Sequence, residues 1–138
     1  MKNTIKFFIV ISILCLTLGC SVACVSTGQQ NNSDVKINMI ETNVYPTNKF
    51  IDTIPKVDYG EVMYVQEFIG DDSRYAIGFT KITREEGNTY INTLKNAGYK
   101  VSNSTVEDVS AGYILTRDNV NLSISVSENR MVIMFNIK

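Results

Sequence analysis

The side chains able to do chemistry in this 138-residue chain are few in type and unevenly placed. Histidine is absent, which removes the usual general base near neutral pH and the commonest metal ligand. The three cysteines, Cys15, Cys20 and Cys24, all lie close to the N-terminus. A thiol there can be acylated, but the rest of the chain has no cysteine for an internal disulfide or a thiolate metal site. Catalysis would have to use carboxylate, lysine, serine or tyrosine. The adjacent acidic pairs are Asp71-Asp72, Glu85-Glu86 and Glu107-Asp108. Two carboxylates acting as acid and base must converge on a substrate, whereas sequence neighbours diverge by about 100° on a helix or point to opposite faces of a strand. Asp71-Asp72 suits a turn, Glu85-Glu86 the first turn of a helix, and Glu107-Asp108 a solvated loop. Ser123, Ser125 and Ser127 alternate along one stretch without a G-x-S-x-G motif or a base beside them, so they read as the wet face of a strand. No glycine-rich phosphate loop is present, and no calcium-loop spacing follows Asp71. The sequence predicts a non-catalytic domain with no catalytic residue, no cofactor and no metal site. The alternative is a hydrolase built on carboxylates from distant segments.

Binding is the other chemistry open to these residues. Seven tyrosines and no tryptophan are present, and Tyr59, Tyr64, Tyr75, Tyr99 and Tyr113 are too many to sit under one helix. Tyr64, Tyr75 and Tyr113 are the candidate contacts for an envelope protein or a glycan, on a sheet face turned away from the helix. The competing reading makes them half-buried strand residues with hydroxyls in water. The formal net charge is −1, and Lys and Arg are scattered without a basic run, so the electrostatic footprint of a nucleic-acid binder is missing.

The elements that must position these residues are mostly strands. Thr83 to Gly98 reads as the one helix: Thr83 and Glu86 form a capping box, Tyr90, Ile91, Leu94 and Ala97 share a stripe, and Gly98 stops it. Glu61–Ile69 and Arg74–Ile82, rich in β-branched and aromatic residues, flank Gly-Asp-Asp-Ser and read as a hairpin. Tyr99–Thr105 is extended but polar, as an edge strand would be. Gly112–Thr116 follows, then Val120–Ser127 with strict apolar/polar alternation, then Arg130–Ile137, apolar on both faces and therefore central. The expected fold is an α+β sandwich: an antiparallel sheet of five to six strands in the order ββαβββ(β), with helix 83–98 on one face, in a monomer. Residues 35–55, interrupted by Pro46 and Pro55, are expected to be an extended arm laid along a domain spanning 56–138.

The N-terminus carries an address. Lys2 and Lys6 precede an apolar run from Phe7 to Leu18 and small Gly19, the layout of an export signal over residues 1–19. Leu16-Thr17-Leu18-Gly19-Cys20 resembles the lipobox of prokaryotic lipoproteins, with Thr17 where that family usually has leucine. The resemblance implies acylation at Cys20, with Cys24 the second choice. It also implies attachment through lipid to the outer face of the cytoplasmic membrane, or to an outer membrane where the cell has one. An ordinary cleaved signal and an uncleaved anchor are the alternatives. Residues 20–34, polar and without aromatic residues from Ser26 to Asp34, read as a tether.

From Ile54 onward, a hairpin, then Y-I-x-x-L-K-x-A-G-Y from Tyr90 to Tyr99, then alternating N-L-S-I-S-V and M-V-I-M-F-N-I, resembles uncharacterised domains of small prokaryotic lipoproteins. The resemblance implies an architecture and a compartment, and it implies no catalytic residue. The functional expectation is an extracytoplasmic lipoprotein with a binding or interaction module. An envelope hydrolase is the first alternative. The second is a structural or inhibitory envelope protein presenting a loop such as Gly70–Ser73.

Overall fold

The computed structural model describes residues 35–138. The leader, Cys20, Cys24 and the tether lie outside the described residues. Seven strands form a single antiparallel sheet: β1 (Lys36–Glu41), β2 (Glu61–Ile69), β3 (Arg74–Thr80), β4 (Lys100–Val106), β5 (Ser110–Arg117), β6 (Val120–Ser127) and β7 (Arg130–Ile137). One helix, α1 (Arg84–Asn96), separates β3 from β4, and a single 3-10 turn covers Ile51–Thr53. Across the sheet the strands run β1-β2-β3-β7-β6-β5-β4.

This overturns the expected fold. The described chain is a β-rich, seven-stranded antiparallel sheet with one helix, in the order βββαββββ, and not a five- to six-stranded ββαβββ(β) sandwich. The strand that sequence reasoning missed is β1, inside the stretch read as an arm. Val35 to Ile40 has some alternation, but all six strand residues are exposed and the turn-rich, proline-interrupted stretch that follows favours an arm. It exists because its backbone completes a ladder with β2, from Lys36 opposite Ile69 to Glu41 opposite Tyr64.

The chain doubles back at β7, which lies between β3 and β6 and pairs with both along its length. With neighbours on either edge, β7 buries Met131, Ile133 and Phe135 completely. The strongest alternation in the sequence, that of β6, places Val120, Leu122, Ile124 and Val126 on the same side, all buried. Tight two-residue connections place Asp118 and Asn129 in the left-handed region at φ 53° and 62°, a conformation that Asn and Asp tolerate better than most residues.

Two pieces cover this apolar face. Helix α1 begins with the Thr83/Glu86 capping box and buries Gly87, Tyr90, Ile91 and Leu94 against the sheet. It comes very close to β6: a Cβ at Gly87 would sit 2.4 Å from Cγ1 of Val126, so only glycine fits. The remainder of the face is roofed by residues 45–57. There Phe50 stacks on Tyr75 at 5.2 Å between ring centroids, Tyr45 leans on Phe79, and Ile51, Ile54 and Val57 are buried.

The two covers are tied to each other by polar tips on apolar bodies. Tyr90 donates its hydroxyl hydrogen to the Pro55 carbonyl at 2.7 Å, and Tyr99 donates to the Thr53 carbonyl at 3.0 Å. Arg117 lies 4.4 Å over the Tyr99 ring and donates to the carbonyls of Ala97 and Thr53 at 2.9 and 2.6 Å. Among the described residues no other polar or charged residue type is buried, so the interior is dry and its tyrosine hydroxyls supply the hydrogen bonds. No helix among the described residues is long and apolar enough to cross a membrane.

Candidate functional site

The second face of the sheet has neither helix nor loop laid over it among the described residues. Its side chains follow from the pleat, because residues directly opposed in an antiparallel ladder share a face. One row crosses all seven strands as Met39, Gln66, Ala76, Met134, Ser123, Ile114 and Asn103. The next row is Glu41, Tyr64, Gly78, Val132, Ser125, Gly112 and Thr105. The face therefore divides. Its β1-β2-β3-β7 half is mostly apolar, with Met39, Met134, Val132, Ala76 and Tyr64 beside Gln66 and Glu41, and its β6-β5-β4 half is serine, threonine and asparagine around Ile114.

The apolar half is partly self-covered. Tyr64 lays its ring over Gly78, where a Cβ would fall 2.5 Å from the ring's Cε1. Phe68 carries the Arg74 guanidinium 4.7 Å above its ring. Arg74 is in turn held by Asp71, Nε to Oδ2 at 2.5 Å. Asp71 also accepts from the Ser73 backbone N–H at 3.0 Å and from the Ser73 hydroxyl. The Ser73 hydroxyl, the Arg74 side chain and the Ser73 N–H hold the Asp71 carboxyl below its usual range, so this acid is a turn brace and a poor proton donor.

The polar half contains a hollow of about 220 Å³, lined by Asn103, Thr105, Gly112, Ile114, Ser123 and Ser125 among others. It exists because Gly112 has open space where a side chain would project. Hydroxyls and amides on three neighbouring strands supply both donors and acceptors around an apolar floor, an arrangement suited to a sugar face or a polar protein loop.

Two further hollows open at the margins of the covered face. One of about 430 Å³ lies between residues 48–50 and the β2–β3 turn, with Lys49, Phe50, Glu67, Asp71 and Arg74 in its wall. The other, about 500 Å³, is bordered by Tyr45, Lys56, Asp58, Glu61 and Phe79. A general acid held protonated near neutrality needs burial or a like charge beside it, and no carboxylate among the described residues is buried. No group of three metal-ligating side chains is found among the described residues.

The tyrosines singled out from sequence are not brought together. Only Tyr64 lies on the open face. Tyr75 is buried on the covered face, where burial pushes its phenol pKa up. Tyr113 faces the helix and donates to Asn88 Oδ1 at 3.0 Å. Tyr99 is buried among the covers. The hollow at Gly112 was not anticipated. Alternation marks Ser123 and Ser125 as wet, but only the strand order places Asn103 and Thr105 beside them. Cys20 and Cys24, the two candidates for lipidation, lie outside the described residues. No protein-family model matches the chain, and no curated protein or solved structure proved detectably similar to it.

Proposed function

We propose that this chain is an exported lipoprotein, acylated on Cys20, with Cys24 the second choice. Its β-rich domain acts as a non-catalytic module that binds an envelope protein or glycan through the open sheet face. The observation that carries the binding role is the unroofed seven-stranded face, with its hollow of hydroxyls and amides centred on Gly112. The anchoring role is supported by the lipobox-like Leu16–Cys20 and the polar residues after it. Two acyl chains on one cysteine are enough for stable anchoring, where a single chain is marginal.

Both halves are open to test in one strain. Metabolic labelling with a fatty-acid analogue should mark the wild-type chain and the Cys24→Ala variant and leave Cys20→Ala unlabelled. Label that persists in Cys20→Ala and vanishes in Cys24→Ala moves the anchor to Cys24. The purified chain should bind at least one member of an envelope-glycan and envelope-protein panel, and Ser125→Arg, which fills the hollow, should weaken that binding about tenfold or more. Binding unchanged by Ser125→Arg would take the site off this face.

A further inference from the structure

The sheet has two outer edges, and they are built differently. At β4 the strand is mostly polar, Lys100-Val101-Ser102-Asn103-Ser104-Thr105-Val106, and its ladder to β5 is broken by a bulge between Val101 and Asn103. Polar residues and a bulge are the usual means of keeping an edge from accepting another strand. The β1 edge has no bulge and is half apolar, its polar residues being Lys36, Asn38 and Glu41. The ladder to β2 runs unbroken over six residues, and the apolar side chains of Ile37, Met39 and Ile40 are 55%, 56% and 40% exposed.

The backbone of β1 is also available among the described residues. Thr42 donates its N–H to the Met63 carbonyl, which fixes the alternation of the ladder. The odd-numbered positions Ile37, Met39 and Glu41 therefore turn their N–H and C=O groups away from β2. Such a row of donors and acceptors is satisfied by another strand. A lipid surface does not satisfy it, because unpaired backbone groups are costly in hydrocarbon.

We infer that two copies of this chain associate edge to edge through β1, antiparallel about a twofold axis at Asn38, to give one continuous sheet. The twofold and the pleat together restrict the register, since opposed residues must share a face. With the axis at Asn38, Ile37 of one copy opposes Met39 of the other on the open face, twice by symmetry. Both belong to the outward-facing set, so the apolar pairs coincide with the hydrogen-bonded pairs. On the other side of the sheet Lys36 lies against Ile40 of the second copy, its aliphatic stem on an apolar neighbour and its ammonium free to reach water. With the axis at Met39 instead, Ile37 would face Glu41, so the apolar match selects the first register. The contact is isologous and closes at two copies, while the bulged and polar β4 edge does not extend it. Five paired residues per copy make a small interface, so the association is weak and depends on concentration.

The test uses the full chain in mild detergent, by sedimentation velocity over roughly 1–300 μM. The wild-type chain should pass from monomer to dimer within that range. Met39→Lys places a cation opposite Ile37 at both symmetric positions, and Ile37→Pro deletes two outward N–H donors. Each should weaken the dimer about tenfold or more. Ser104→Lys, on the β4 edge, should leave it unchanged. Neither β1 side chain is buried, so the melting temperature serves as the folding control. Hydrogen exchange gives a reading that needs no variant: the amides of Ile37 and Met39 should gain protection as concentration rises. A chain that stays monomeric throughout overturns the inference. So does a dimer that survives both β1 substitutions, or a dimer in which those two amides stay unprotected.

Discussion

Consider two rows of side chains one residue apart on the same seven strands. On the covered side the row reads Ile40, Val65, Ile77, Ile133, Ile124, Tyr113, Ser104, and its middle four are buried. On the open side the neighbouring row reads Met39, Gln66, Ala76, Met134, Ser123, Ile114, Asn103. The backbone hydrogen bonds are common to both, so the difference lies in what is laid over them. Burying an aliphatic side chain contributes about 1.5–3 kcal/mol, and the covered face collects that contribution many times over. The open face collects little of it, which leaves its residues free to be chosen for contact with something else. One face specifies the fold, and the other is where recognition is to be sought.

The largest expected break in this contrast is Leu94→Asp. Leu94 is fully buried between α1 and the sheet, and among the described residues no cation lies in the core to receive a carboxylate. An unpaired buried charge costs about 3–5 kcal/mol, a large share of a small domain's whole stability. The variant should be unfolded at room temperature by circular dichroism. A near-normal melting curve would mean that the helix stripe does not face the core.

Alkaline pH acts on the same side and nearly as hard. Burial raises the phenol pKa of Tyr90, Tyr45 and Tyr75: Tyr90 and Tyr45 belong to the two covers and pack toward the sheet, and Tyr75 lies beneath Phe50. The sign follows from proton binding. As pH rises past about 10 these phenols ionise in the unfolded chain before they do in the folded one. The folded state then holds more protons, so its stability is complete below that pH and falls as pH rises. Tyr90, the most deeply buried of the three, removes about 1.4 kcal/mol per pH unit, and Tyr45 and Tyr75 act in the same direction. Unfolding followed from pH 8 to 12, with phenolate absorbance recorded alongside, should show cooperative loss of structure coinciding with tyrosine ionisation. Phenolate that forms early while the fold persists would place these rings in solvent.

The covered face was the legible half of this molecule, because burial imposes a period on sequence. The capping box at Thr83 and Glu86 gives the start of α1, and the Val120–Val126 alternation gives β6 to the residue. The apolar run of β7 announces a strand with neighbours on both edges. What burial does not touch leaves a weaker trace. Val35 to Ile40 has some alternation, but β1 is held by its ladder alone and leads into proline-interrupted turns, so the stretch reads as an arm and the strand count and fold class come out wrong. Tyr75 and Tyr113 illustrate the same asymmetry from the other direction. Their type suggested recognition, yet their strand positions put them on the covered face, which requires the pairing register to see. The Gly112 hollow is assembled from three strands whose adjacency is decided by the path of the chain, so nothing local to β4, β5 or β6 describes it.

The smallest effects test the contrast most closely, because they compare residues that touch or adjoin. Gly87→Ala would stabilise an isolated helix by about 1 kcal/mol. Here the added methyl meets Val126, a stiff and fully buried side chain on a strand held from both sides. Overpacking of that kind costs about 1–3 kcal/mol, so the net result should be a loss near 1 kcal/mol in chemical denaturation. Val126→Ala alone should cost about 2 kcal/mol through the cavity it leaves. Combined, the two should not add, since each makes room for the other: in the Val126→Ala background, Gly87→Ala should become neutral or stabilising. Additive losses would show that the helix does not rest on Val126. One residue away, Ser125→Ala removes an open-face hydroxyl with no buried partner, and its cost should stay within about 0.5 kcal/mol. The gap between Ser125→Ala and Val126→Ala is the two-face comparison reduced to adjacent positions. If Ser125→Ala were to cost as much as Val126→Ala, the open face would have to be covered in solution. The occupant would then be part of the folded state and no longer a ligand.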